Sequence, residues 1–224
     1  MRDIIFGAHG FSEAQKEKFD KSIETMKKAL AEVSLCYEKQ KLIRFFIDVI
    51  GRDIAYETAT AILYGDDIPY SEQFLYPFVG NESGEQQDVL FETINVVSCP
   101  WAIYLFASAF RDIDISGFVQ DGKNCTGIYY PELRLMVCTN GYHHVSAAAL
   151  IDNSHFRSFG NRGRFRFSAK CSSLEQYYDI VKTDGGSWYI DGQEPFVVHD
   201  FRMAVLYELA REFHKIRNSG SNYI

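Results

Sequence analysis

The chain lacks any apolar run approaching the roughly 18 residues needed to cross a bilayer, so no membrane partner is expected. Its longest apolar cluster, Cys99 to Phe110, has the length of a buried helix. Cysteine is sparse: Cys36, Cys99, Cys125, Cys138 and Cys171 are odd in number and include no CxxC pair. That pattern gives no disulfide framework and no cysteine zinc site, and it suits a reducing, cytoplasmic compartment. Residues 1–7 are too short and too acidic for a signal peptide. Positive charge is in deficit, with a net charge of −7. The molecule as a whole is therefore a poor general binder of nucleic acid or anionic membrane, and any anion site must be a local patch. Internal repeats and low-complexity tracts are absent as well.

What is present is core-forming material. An apolar fraction of 46% with 15% aromatics is ample for a packed interior in 224 residues. Ser12 and Gln15 have the spacing of a capping box. Phe19, Ile23, Met26, Leu30 and Val33 follow at intervals of four and three, the stripe of an amphipathic helix. Glu17–Lys21 and Glu24–Lys28 stand in the favourable order for surface ion pairs. Lys39 to Ile50 is apolar around most of its circumference and predicts a central helix ended by Gly51, with a further Ala-rich helix over 54–63. The stretch 65–87 is long enough to be a linker or lid, and Phe74, Tyr76 and Phe78 argue that it packs on something.

Beyond it the pattern changes. Val89 to Val97 predicts a buried strand, and Pro100 the first turn of a helix running to about Ile113. Cys125–Tyr130 and Leu133–Thr139 predict a hairpin turning at Pro131-Glu132. A helix is expected from about His143 to Ile151, and an alternating strand from Arg162 to Lys170. Ser172 to Glu175 offers a second capping box. Ser187 to Val198 is strand-like with a turn at Asp191-Gly192, and Asp200 caps a last helix whose Val205, Leu206, Leu209, Phe213 and Ile216 face inward. The expectation is an α+β fold: an N-terminal helical layer packed on a small mixed β-sheet body with a C-terminal helix. In chain terms this gives a helical segment 1–65, an aromatic-rich connecting loop 66–87 and a mixed body 88–224.

The segment richest in chemistry is Asn140-Gly141-Tyr142-His143-His144. A helix that starts directly after a strand and a glycine turn aims free N–H groups and the positive end of its dipole at whatever lies above the turn. Phosphate or carboxylate suits that geometry. Gly141 permits a positive φ or a close approach, Ser146 adds a hydroxyl, and the histidines supply protons or donors. His143 and His144 are the candidate catalytic residues, with Asn140, Gly141, Tyr142 and Ser146 as ligand-binding candidates. The plain alternative is an ordinary turn whose histidines cap or pack.

The run Leu135 to Ala149 resembles the strand, Gly-x-His-Arg, Ala-Ala-helix element of the ParB/sulfiredoxin superfamily, which implies a hold on nucleotide phosphates. Gly141 and His143 match, but His144 stands where Arg is usual and lacks that residue's permanent charge and bidentate fork. More broadly, Pro100-Trp101, Asn140-Gly141-Tyr142-His143, and Asp200-Phe201-Arg202 with Glu208 and Arg211 resemble, in order, elements of an uncharacterised bacterial family, domain of unknown function 6710. That resemblance implies no activity.

Arg157, Arg162, Arg164, Arg166 and Lys170 form the one dense positive run. Alternation places Arg162, Arg164, Arg166 and Lys170 on one strand face, either as a cationic wall for an anion or as edge protection. Asp200, Arg202, Glu208 and Arg211 could reach a shared cleft from one helix, but a solvated or ion-paired helix face is the favoured account. His143, His144, Asp152, His155 and His199 match no metal motif, so neither a metal nor another cofactor is expected. No GxSxG elbow accompanies Ser146.

The leading expectation is a domain binding a phosphate-bearing small molecule, a nucleotide in particular, with phosphoester or phosphoanhydride hydrolysis left open. One alternative is a non-enzymatic phage or mobile-element factor whose partner is a host protein. Another is nucleic-acid binding through the arginine strand, against which the overall negative charge argues.

Overall fold

The computed structural model describes residues 11–64, 84–153, 164–184, 186–198 and 200–220. Phe74, Tyr76, Phe78, His155, Arg157, Arg162 and His199 therefore lie outside the described residues. The architecture is α+β, with N-terminal helices, a central mixed β-sheet region and a C-terminal helix. The described residues fall into two compact units, 11–50 with 174–220, and 51–64 with 84–173.

In the first unit, helix α1 (Glu13–Ala31) opens on the expected capping box, Ser12 and Gln15 each satisfying the other's backbone N–H. Its stripe buries Met26 and Leu30, and α1 packs on α5 (Phe201–Gly220). Glu24 and Lys28 pair at 2.5 Å. Glu17 and Lys21, in the same favourable order, form no ion pair among the described residues. Asp200 caps α5 as expected, its Oδ1 accepting from the Arg202 N–H at 2.8 Å. Residues Met203 to Tyr207, Leu209 and Ala210 are all buried. A three-stranded antiparallel sheet belongs to this unit: β6 (Val181–Asp184), β7 (Ser187–Ile190) and β8 (Phe196–Val197). Its Trp188 is fully buried edge-on against Tyr207, whose hydroxyl donates to the Tyr177 carbonyl at 2.6 Å. The 3-10 turn Glu175–Tyr177 starts from Leu174, which has no side-chain cap; just before it the Ser172 N–H donates to the Tyr129 carbonyl at 3.0 Å and the Ser173 hydroxyl donates to Glu132.

Helix α2 runs unbroken from Cys36 to Tyr64, so Gly51 does not end a helix. A Cβ on Gly51 would lie 2.6 Å from Asn95 Nδ2. The glycine makes room for a neighbour and costs the helix only propensity. Nor is the segment before it buried all round, since Phe45 and Val49 are exposed while Ile43 and Ile47 are sealed.

The second unit holds a five-stranded mixed sheet in the order β1-β5-β3-β4-β2, with β1 (Gln86–Leu90), β2 (Asn95–Val97), β3 (Thr126–Tyr130), β4 (Leu135–Asn140) and β5 (Arg166–Cys171). The single strand expected over 89–97 is two strands separated by a 3-10 turn at Phe91–Thr93. Those two strands occupy opposite edges, which would stand about 19 Å apart in a flat sheet at ~4.8 Å per strand. Residues 91–94, mostly in a 3-10 turn of ~2 Å rise, are too short for that span, so the sheet curls. The Phe91 N–H bonds to the Phe165 carbonyl and the Asn95 N–H to the Arg134 carbonyl, fixing both ends of the connection.

Helices α3 (Ile103–Ser116) and α4 (Tyr142–Asn153) pack on each other. With Phe91, Met136, Cys138, Phe167 and Ala169 they form one core. Helix α3 begins three residues after Pro100, with Ala102 as its extended N-cap.

Candidate functional site

Strand β4 is buried on both faces through Cys138 and emerges at Thr139 and Asn140. Gly141 then turns the chain at φ +80. A Cβ there would lie 2.4 Å from the Asn124 carbonyl oxygen and 2.9 Å from Cys125 Sγ. Glycine is therefore required by the protein's own backbone at this point. Its N–H donates to Asn140 Oδ1 at 2.9 Å, and its carbonyl accepts the first helical bond, from the Val145 N–H. Because the capping residue is a glycine without a side chain, the His143 and His144 amides find no acceptor among the described residues.

Two contacts lock the turn. The Tyr142 hydroxyl donates to the Thr139 carbonyl at 2.9 Å, and Ser98 Oγ donates to the Tyr142 carbonyl at 2.9 Å. The second draws residues 98–101 alongside, and Trp101 lies edge-on against the His143 ring, centroids 5.0 Å apart. Trp101 itself is 66% exposed.

His143 is half-buried, and neither of its ring nitrogens has a hydrogen-bond partner among the described residues. Burial lowers its pKa from the ordinary 6.5, with the nearby His144 adding to the shift, so the ring is neutral at pH 7. It can donate through one nitrogen and accept through the other. Ser146 lies three residues on, next to His143 on the helix surface. It is 4% exposed, and its hydroxyl is likewise unpartnered. His144 is exposed.

Of the expected site residues, Asn140, Gly141, Tyr142, His143, His144 and Ser146 gather at this one turn. The cations do not join them. Arg164 pairs with Glu92 at 2.9 Å, and the Glu92 N–H donates to Asp152, at the far end of α4. Eleven helical residues at 1.5 Å separate Asp152 from Gly141, about 16 Å. Arg166 alternates with Phe167 and Ala169, which face the α3–α4 core, so it lies on the opposite sheet face with Ser168 and Lys170. That face has a cavity of about 440 Å³, lined by Gln120, Thr126, Thr139, Ser168 and Lys170 among others. Its polar walls are largely bonded to each other: Gln120 bridges the Ser168 backbone, and the Thr126 and Thr139 hydroxyls pair at 2.8 Å.

Asp200 and Arg202 belong to the first unit and bond to each other, with Arg202 Nε 3.0 Å from Asp200 Oδ1. Among the described residues no group of three or more His, Cys, Asp or Glu side chains is placed to hold a metal ion. No described helix is long and apolar enough to cross a membrane.

A family model described as a family of unknown function, DUF6710, matches residues 8–220. The chain belongs to that family. No curated protein and no solved structure matches it. In this DUF6710 member, two of the elements that carry the family resemblance, Pro100-Trp101 and the Asn140–His143 turn, meet in the contact between Trp101 and His143. Sequence reasoning left Trp101 out of the site. Periodicity gives no sign that a residue 42 positions upstream of His143 covers its ring. Asp152 was likewise set aside as a metal candidate. It is a buried clamp, its carboxylate accepting from the Glu92 and Phe165 N–H groups at 3.1 and 3.3 Å.

Proposed function

We propose that the start of α4, beneath Trp101, binds the phosphate of a small molecule, a nucleotide being the class that fits best. One observation carries the reading: among the described residues both His143 ring nitrogens lack hydrogen-bond partners, at a helix start whose His143 and His144 amides also lack acceptors. The ring nitrogens are buried and costly to leave unsatisfied, and a phosphate group would accept from the protonated ring nitrogen and from the two amides. The exposed Trp101 ring offers a stacking surface for a base. The likeness of residues 135–149 to the ParB/sulfiredoxin Gly-x-His element supports the same ligand class. His144 in place of Arg, and the absence of Arg164 and Arg166 from the turn, favour a modest affinity and one phosphate over a triphosphate. Five free thiols suit a cytoplasmic setting for such a ligand.

The test is calorimetry with nucleoside mono-, di- and triphosphates on wild type, His143→Ala and Trp101→Ala, with inorganic sulfate as a bare anion. Wild-type binding that is weakened about tenfold or more by His143→Ala, the loss of one charge-assisted hydrogen bond, supports the reading. Binding unchanged in His143→Ala, or no nucleotide binding at all, defeats it. Gly141→Val is not a clean probe, because its side chain would strike the Asn124 backbone whether or not a ligand binds.

A second reading, a protein-interaction role, is favoured by α3 and its flanks, where Trp101, Ile103, Tyr104, Phe110, Ile115 and Val119 are all exposed. Capture of a stoichiometric protein partner that is lost in Tyr104→Glu but kept in His143→Ala would select it.

A further inference from the structure

The first unit contains an open cavity of about 370 Å³ between α1, the first half of α2 and α5, within the ~300–1,000 Å³ range of small-molecule sites. Its floor is apolar, built from Met26, Phe46, Phe201 and Leu209, and its α1 edge carries Lys18, Lys21, Ser22 and Thr25. Those four positions fall at spacings of three, one and three, so a single face of α1 supplies all the polar groups. The asymmetry has a direct chemical reading: one side recognises a head group, and the other two receive a tail.

The sign of the head follows from the lysines. Lys21 has no ion pair among the described residues even though Glu17 stands one turn before it. Among the described residues Lys18 likewise has no ion pair, and its ammonium lies over the ring of Phe201 at 5.9 Å. Two ammonium groups without ion pairs among the described residues border an apolar cleft in a chain of net charge −7, a local anion-attracting patch. Ser22 has already spent its hydroxyl hydrogen on the Lys18 carbonyl at 2.7 Å, leaving Thr25 as the free hydroxyl donor at the rim.

We infer that this cavity is a binding site for a small amphipathic anion, a carboxylate on an apolar chain of medium length. The tail lies along Phe46, Phe201 and Leu209 and removes their surface from water. The carboxylate sits between Lys18 and Lys21 and accepts from Thr25. The site shares no residue with the turn at Gly141.

The experiment is calorimetry with decanoate below its micellar concentration, set against decylammonium and decanol, together with amide shift mapping on the full chain. Decanoate should bind at least about tenfold more tightly than decylammonium, as two solvent-exposed ion pairs allow. Amide shifts should concentrate on α1 residues 18–25 and on α5 residues 201–209. Lys18→Glu with Lys21→Glu alters two exposed positions, leaves the core intact and should invert the preference. Thr25→Trp should fill the mouth and weaken all three ligands. His143→Ala should leave decanoate binding unchanged. Equal affinity for decanoate and decylammonium, an unaltered preference in the double charge reversal, or no binding at all would each overturn the assignment.

Discussion

His143 has a half-buried ring whose nitrogens have no hydrogen-bond partner among the described residues, and its acid–base behaviour follows from its burial. Burial depresses its folded pKa below the ordinary 6.5. A base depressed in this way contributes stability that is present above the unfolded pKa and lost as pH falls through the folded value. Acidification from pH 7 should therefore destabilise the protein through this residue, beginning near 6.5. Glu208 runs in the opposite sense. Burial raises its pKa above 4.5, partly offset by Arg211, so its contribution is present below 4.5 and lost as pH rises through the folded value. Because the two oppose each other, the measurement must be residue-specific. The His143 ring resonances should titrate with a midpoint below 6.5, and saturating sulfate should move that midpoint upward, since an anion favours the imidazolium. A midpoint unmoved by sulfate would count against an anion at this turn. Gly141 allows a simpler forecast. Alanine there meets both a φ of +80 and a contact of 2.4 Å with the Asn124 oxygen. Gly141→Ala should therefore lose at least about 2 kcal/mol in urea unfolding, the strain of a non-glycine residue in the left-handed region plus a backbone clash.

At the scale of elements, the sequence was most legible where the determinants are local. The Ser12–Gln15 box, the α1 stripe, the β3–β4 hairpin, the Asp191-Gly192 turn and the strand–glycine–helix order around Gly141 each depend on residues within a few positions of one another. The misreadings come from distant contacts. Gly51 looks like a stop signal until Asn95 is placed beside it, and Val89 to Val97 looks like one strand until the curl of the sheet demands a turn at Phe91. The α2 case can be tested by its sign. Mid-helix Gly→Ala ordinarily gains up to ~1 kcal/mol. Gly51→Ala should instead destabilise the wild-type background, and should recover that gain when combined with Asn95→Ala, which removes the two side-chain atoms lying closest to the new Cβ. A gain in both backgrounds would mean that Asn95 does not crowd the helix. Asp152 is the clearest element-level tie, joining the end of α4 to the β1–β2 connection and to the residue before β5. Asp152→Ala would strand two backbone N–H groups at ~1–3 kcal/mol each. It should cost about 3 kcal/mol and speed hydrogen exchange at Glu92 and Phe165 before it does so elsewhere.

For the whole molecule, the cysteines divide by accessibility in a way that reports on one unit. Cys36 is exposed, Cys171 is half-buried, and Cys99, Cys125 and Cys138 are buried, all five as free thiols. Burial pushes the Cys99 and Cys138 thiols up to about 12 and raises Cys125 and Cys171 less far. Only a thiolate attacks a disulfide reagent, so Cys99 and Cys138 carry almost none at pH 8 even where a reagent could reach them. Native protein should show one fast thiol, removed by Cys36→Ser, then a slower one from Cys171. The remaining three should react only through opening. Because Cys99, Cys125 and Cys138 all belong to the unit formed by residues 51–64 and 84–173, their common rate measures the opening of that unit alone. It should climb exponentially with urea, and the Asp152→Ala substitution should accelerate all three together. Three separate rates, or a rate insensitive to urea, would mean that the α3–α4 core around the candidate site does not open as one cooperative body.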